Sequence, residues 1–213
     1  MKILAIESSS SSLLLGLHKK NKFFSLESES INNTAKNINI MVDKILKKSS
    51  STLKDLDAIA ISSGPGSFTS LRVGMSYAKG LSFTLDIPII PVSTFEILLF
   101  SNLNKVKGET SVLIYSHGRT VYKCDYMVKN NTYKLINDPD TLIIDELKKT
   151  KNNIIFHGRK KFFDEIKNED KKNINTDLDI KSLIELSIKN FKLLKTKSLD
   201  NLSPEYVGNF EIK

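Results

Sequence analysis

The chain has 213 residues, 40% of them hydrophobic and 26% charged, which suits one large domain or two small ones, each burying its own core. No apolar run approaches the ~18 residues of a membrane-spanning helix, and the opening MKILAIESSSSSLLLG, interrupted by Glu7 and five serines, reads as a strand and not as a signal peptide. The single Cys124 excludes an internal disulfide and fits a reducing cytoplasm. A net charge of +8 allows nucleic-acid binding through counterion release, but only Arg72, Arg119 and Arg159 are arginines, and the lysines are spread over the whole chain as on ordinary solvated faces.

Lys2–Ile6, Leu13–Leu17 and Phe23–Ser28 read as three consecutive strands, the first two joined by a serine hairpin at Ser8–Ser12. Helical spacing follows from Ile31 to Lys48, with Ile31, Ala35, Ile38, Val42 and Ile45 on one stripe and Ile40 nearly opposite. Ala58–Ile61 is a short buried strand. A second helix starts near Ser70, is marked by Leu71, Met75, Ala78, Ser82 and Leu85, and ends before Asp86-Ile87-Pro88. Ile89–Val92 is a strand, and Ser93 or Thr94 caps a helix through Phe100. The polar stretch Asn102–Glu109 is the expected boundary between a lobe over 1–103 and a smaller lobe over 104–213. In the second lobe Ser111–Tyr115, Val121–Val128 and Thr132–Ile136 read as strands, Asp140–Lys149 as a helix, Asn153–Phe156 as a strand and Ile180–Lys195 as a tail helix. The β-β-β-α-β-α order occurs twice, the pattern of an α/β protein with two halves of similar topology.

SSGPGSFTSLRVG at Ser62–Gly74 joins a strand to a helix, where phosphate loops sit, but has no lysine at its end as a Walker loop requires. It is also a poor dinucleotide fingerprint, with Thr69 where a third glycine would stand. Gly64 and Gly66 around Pro65 permit a steep turn and close backbone approach, and Ser67 or Thr69 is placed to cap the helix. On mechanics alone a structural turn and a phosphate site are equally open.

ILAIESS at Ile3–Ser9, GPGSFTSLRVG at Gly64–Gly74 and IPIIPVST at Ile87–Thr94 resemble the TsaB (YeaZ) family, in order and spacing, from Met1 to about Phe100. The second half resembles it in length, predicted elements and the VYKCDY stretch at Val121–Tyr126. The resemblance implies two ribonuclease-H-like lobes of the actin-like ATPase superfamily, each a mixed sheet with flanking helices. It also implies a function: a noncatalytic subunit of the tRNA threonylcarbamoyladenosine machinery. Such a subunit activates the catalytic partner TsaD, with TsaE as the joining ATPase and tRNA met through the complex.

Catalytic relatives carry a metal-binding His-x-x-x-His pair where this chain has Thr94 and Leu98, and a leucine offers no donor atom. His18, His117 and His157 are scattered singly, which fits surface or structural roles, and Cys124 reads as a buried structural thiol. No metal and no resident cofactor are expected. Glu7 and Ser8 stand where actin-like ATPases organise a metal and a phosphate. With Gly64, Gly66, Ser67 and Thr69 they form a remnant phosphate or nucleotide loop, or a turn held by hydrogen bonds. Two departures put an interlobe anion site in doubt. Tyr115-Ser116-His117 replaces an Asp-Ala-Arg-like motif, with Arg119 as partial compensation, and Gly208 ends the Pro-x-Tyr-x-Arg pattern.

Binding surfaces should then carry the function. On the second helix Val73, Ser76, Tyr77, Gly80 and Phe83 fall on the side away from the core, with no charge among the five, joined by Ile40 from the first helix. In the family these helices pair with their equivalents in TsaD, or with themselves in a homodimer. Two rivals differ in kind: an independent actin-like kinase or metallopeptidase-like enzyme, and a basic tRNA-binding protein.

Overall fold

The computed structural model describes residues 1–28, 33–147, 150–167 and 169–208. Its first sheet is built from β1 (Ile3–Glu7), β2 (Leu14–Lys19), β3 (Lys22–Glu27), β4 (Ala58–Gly64) and β5 (Ile89–Ser93), in the order β3-β2-β1-β4-β5. The three N-terminal strands are antiparallel, while β1, β4 and β5 run parallel. Every residue of β1 is buried, the apolar Ile3–Ile6 as in a central strand covered on both faces, and Glu7 at its end as well.

The two faces of this sheet differ in side-chain size. Leu4 and Ile6, with Leu15, Leu17, Ile59 and Ile61, pack against α1 (Thr34–Lys48) and α2 (Phe68–Leu85). Ala5 pairs across the ladder with Gly16 on one side and Ala60 on the other, so the opposite face is shallow there. Into that face packs α6 (Ile180–Lys189), whose N-terminus is capped by Asp179 accepting from the Lys181 and Ser182 N–H groups at 3.0 and 3.1 Å. A Cβ on Gly16 would stand 2.8 Å from Ile180 Cγ1 and 2.9 Å from Ile184 Cδ1.

The second sheet comprises β6 (Gly108–Tyr115), β7 (Thr120–Lys129), β8 (Thr132–Ile143), β9 (Asn153–His157) and β10 (Asn173–Asn175), ordered β10-β9-β6-β7-β8. Its β6–β7 and β7–β8 pairs are antiparallel and its β6–β9 and β9–β10 pairs parallel. Read from the other edge, it repeats the first sheet strand for strand. Leu113, Val121, Ile154, Phe156, Phe162 and Ile166 form its core with α4 (Ile144–Leu147) and α5 (Lys160–Ile166).

The chain divides into two compact units. One holds Met1–Ile97 and Asp179–Glu205, the other Leu98–Leu178 and the segment from Tyr206. The tail helix expected in a 104–213 lobe therefore lies on the first sheet, because its Ile180, Leu183 and Ile184 have the shallow Ala5-Gly16-Ala60 face to fill. The first break falls within α3 (Thr94–Ser101), ahead of the polar stretch.

Several element boundaries differ from expectation for local reasons. The helix expected over Asp140–Lys149 shrinks to α4, since β8 continues to Ile143; β8 is an edge strand, where Pro139 without an N–H is tolerated. Lys148 and Lys149 lie outside the described residues, as does Ile31. The buried face of α1 centres on Ile38 and Ile45 with Thr34 and Met41 beside them, which leaves Ala35 exposed. The tail helix breaks at Asn190 into α6 and α7 (Phe191–Leu194), after which Thr196 exchanges two backbone hydrogen bonds with Ile89 of β5, 2.9 and 2.8 Å long. The short β10 and α5 carry too few apolar residues to show in the sequence.

Gly16→Val should lower the denaturant midpoint by an amount equivalent to about 1–3 kcal/mol of overpacking. Ile184→Ala in the same chain should restore part of that loss, a non-additivity readable from a double-mutant cycle.

Candidate functional site

The glycine loop between β4 and α2 is stitched to two other segments of the first unit. Gly66 lies directly against the Ser9 backbone carbonyl and Cβ, a gap that any side chain would close. The Ser67 N–H donates to that same Ser9 carbonyl at 2.7 Å. Gly64 has φ +111, and a Cβ there would meet the Glu205 carbonyl oxygen at 2.7 Å. A bulge at Ser63 turns its carbonyl to accept the Glu205 N–H at 2.7 Å, and the Ser63 hydroxyl donates to Glu205 Oε1 at 3.1 Å. One turn of α2 further on, Gly74 makes room for the Ser8 side chain. The Gly64-Pro65 peptide is cis.

The structure therefore brings Glu7, Ser8, Gly64, Gly66 and Ser67 together at the carboxyl ends of β1 and β4, and leaves Thr69 exposed on α2. Glu7 is fully buried. Its Oε1 accepts from the Ser9 N–H and hydroxyl, both at 2.6 Å, and the Ser8 N–H donates to Ser62 Oγ at 3.2 Å. Glu7 Oε2 and Ser8 Oγ are buried without hydrogen-bond partners among the described residues. Burial pushes the Glu7 carboxyl above its ordinary value near 4.5, against the lowering effect of the two Ser9 donors. Glu205 is likewise raised, first by burial and then by the Glu96 carboxylate. Ser67 begins α2 without a side-chain cap bond; its hydroxyl donates to Ser70 Oγ at 3.2 Å.

Further along α2 and on α1, apolar residues stand exposed. Phe83 is 82% exposed and Ile40 55%, with Ser76 and Gly80 also exposed between them in sequence on α2. Val73 and Tyr77 are half-buried. Tyr77 packs on the sheet core and its phenol donates to Asn39 Oδ1 on α1 at 3.1 Å, so it ties the two helices together. A shallow groove of about 390 Å³ is lined by Leu53, Ser76, Tyr77, Gly80 and Leu81. Nothing lies within 4 Å of a Cβ built on Gly80.

A family model described as TsaD, tRNA N6-adenosine threonylcarbamoyltransferase, matches residues 28–186. The tRNA threonylcarbamoyladenosine biosynthesis protein TsaB of Buchnera aphidicola subsp. Schizaphis graminum is 32% identical over 164 residues, covering 73% of this chain and 77% of that protein. The chain belongs to the TsaB family. The TsaB of the Acyrthosiphon pisum subspecies is 34% identical over 131 residues, a match that spans 61% of this chain and 59% of that relative. YeaZ from Pseudomonas aeruginosa shares the fold, with a TM-score of 0.82 over 97% of this chain and 99% of its own at 19% identity.

Other predicted positions of this TsaB-family chain find structural roles. Thr94 and Leu98 are fully buried in α3, and no three His, Cys, Asp or Glu side chains cluster for a metal among the described residues. The ring Nδ1 atoms of His18, His117 and His157 lie 3.0–3.2 Å from Met1 O, Ser116 Oγ and Thr176 O. Cys124 is buried in β7. The Arg119 guanidinium is forked onto Asp145 at 2.9 and 3.1 Å and bonded to Glu165 at 2.8 Å, all within the second unit. Gly208 has φ +86 against Thr141, so an arginine there would be strained. The contact of Ser9 with Gly66 is the functional detail that the sequence did not disclose; the spacing of ESS before GPGS was its only signal.

Gly66→Ala should cost more than about 2 kcal/mol, because the obstructing atoms are backbone and cannot rotate away, and urea unfolding would read it. For Glu7 the raised carboxyl means the folded chain keeps a proton that the unfolded chain releases above pH 4.5. Stability thus falls as pH rises from 4.5 through the raised value, and that loss is complete above it. Glu7→Gln should remove this slope: little difference from the parent near pH 4.5 and a higher unfolding midpoint at pH 7–8.

Proposed function

We propose that this chain is a noncatalytic subunit of the tRNA threonylcarbamoyladenosine machinery. Its work is to dock on a TsaD-like catalytic subunit, in an assembly completed by a TsaE-like ATPase and by tRNA, in the cytoplasm. The observation that carries the reading is the exposure of the uncharged Ser76, Gly80 and Phe83 on α2, together with that of Ile40 on α1. Small residues let a partner helix approach closely, and an exposed phenylalanine is the kind of anchor that a fitted pocket desolvates.

The glycine loop supports the same reading. Its Ser67 N–H is taken by Ser9, its Ser63 carbonyl by Glu205, and Ser9 presents a carbonyl oxygen where an anion would have to approach. The loop is thereby a brace that aims α2. Neither a kinase-like nor a metallopeptidase-like activity gains support from that arrangement. The same face suits a second copy of this chain, and homodimer and heterodimer would compete for it.

Gly80→Arg tests the docking face, since the position is open and replacing a helix-interior glycine gains up to about 1 kcal/mol of helix stability. Together with Phe83→Asp, it should leave the monomer folded, abolish co-purification with the TsaD of the same organism, and remove threonylcarbamoyladenosine from tRNA of cells relying on the variant. Normal co-purification and normal nucleoside content would refute the assignment. Tyr77 is a poor test position, because its charged replacements would also damage the packing of α2 on the sheet.

A further inference from the structure

Because the second unit repeats the first, its β9–α5 turn occupies the place of the glycine loop, and its β6–β7 turn the place of the Ser8–Ser12 hairpin. The steric device is repeated too: Gly158 lies against the Tyr115 side chain much as Gly66 lies against Ser9. The chemistry is not repeated. After Gly158 come Arg159, Lys160 and Lys161, the longest uninterrupted run of arginine and lysine in the sequence, and all three are exposed.

Two of these cations, Arg159 and Lys161, stand on rings. Tyr115 and Phe162 stack with centroids 5.1 Å apart and planes 19° from parallel. The Arg159 guanidinium carbon stands 5.2 Å from the Tyr115 centroid, and Lys161 Nζ 4.7 Å from that of Phe162. The acids near them are engaged elsewhere: Asp145 and Glu165 hold Arg119, and Asp164 pairs with Lys167 at 3.5 Å. No carboxylate among the described residues pairs with Arg159, Lys160 or Lys161. A guanidinium seated on a ring loses side-chain freedom in advance and keeps its in-plane N–H fork directed outward, the geometry that grips a phosphodiester by two hydrogen bonds.

We infer that Arg159, Lys160 and Lys161, set on the Tyr115–Phe162 stack, form a contact surface for the phosphate backbone of RNA. The inference rests on the reading of this chain as a component of a tRNA-modifying assembly, and it supplies that component with its own hold on the substrate. It assigns that hold to the second unit, whereas the α1–α2 docking face belongs to the first. Sequence-independent phosphate contact is the role, so binding should follow salt more than base identity.

The test is binding of a fluorescent, unmodified tRNA transcript to the full chain, titrated at several salt concentrations. Arg159→Ala, Lys160→Ala and Lys161→Ala combined should weaken affinity at least about tenfold near 100 mM salt and flatten the log K against log salt slope by about 2, at roughly 0.7–0.9 for each phosphate no longer neutralised. The control removes three exposed lysines of the first unit, Lys22→Ala, Lys44→Ala and Lys47→Ala, for the same change in net charge, and should retain most of the affinity. Circular dichroism and the unfolding midpoint verify that both variants fold. Equal losses in the two variants would show that net charge alone is read, and would overturn the inference. So would unchanged binding by the first variant, or no tRNA binding by the parent. Failure here is separable from failure of the pathway reading, because nucleoside analysis of tRNA from cells depleted of the protein reports on the pathway whatever surface touches RNA.

Discussion

The approach of Gly66 to the Ser9 backbone is the constraint on which the first unit is organised. It joins the turn after β1 to the turn after β4, and the Ser67-to-Ser9 hydrogen bond fixes where α2 begins. From there the helix has one way to lie, with Leu71, Met75 and Ala78 on the sheet and the Ser76–Phe83 side outward. The loop thus ties the turn after β1 and the segment at Glu205 to the start of α2. The Ser67 N–H is spent on Ser9 and the Ser63 carbonyl on Glu205, while burial raises the carboxyl of the adjacent Glu7 above its ordinary value.

Much of this was legible because the signals were local. The strands β1 to β5 are short apolar runs bounded by turn residues, and α1 and α2 repeat apolar residues at helical spacing, so the type and order of these elements followed from pattern alone. On α2 the exposure of Ser76, Gly80 and Phe83 followed from the same spacing, whereas Val73 and Tyr77 are half-buried, which no periodicity separates from full exposure. What was illegible depends on contacts distant in sequence. Nothing near residue 180 tells that α6 fills a face prepared by Ala5, Gly16 and Ala60, and nothing near Arg119 tells that Glu165 is its partner. The strand β8 runs past the expected Thr132–Ile136 because at a sheet edge Pro139, which lacks an N–H, is tolerated, and edge position is not visible locally.

The repeated topology shows one backbone solution put to two uses. Both units set a glycine of the fourth-strand turn against the end of their first strand or the residues just after it, Tyr115 in one and Ser9 in the other, so the close approach recurs with the fold. Around it the residues diverge. Serines and a buried glutamate close the turn in the first unit, while aromatic rings and exposed cations leave it open to solvent in the second. Shared architecture therefore says little about which turn binds anything, and the side chains decide.

The return of Asp179–Glu205 to the first unit has a consequence for biogenesis. During synthesis the earliest-made sheet leaves the ribosome with one apolar face bare, and the helix that covers it emerges only after about eighty intervening residues have been added, the span from Leu98 to Leu178. The half made first waits almost to the end of the chain for its last helix. Until then its uncovered β1 and β4 are a natural client surface for a chaperone, and a ribosome stalled in the second unit would strand a sticky fragment rather than a usable lobe.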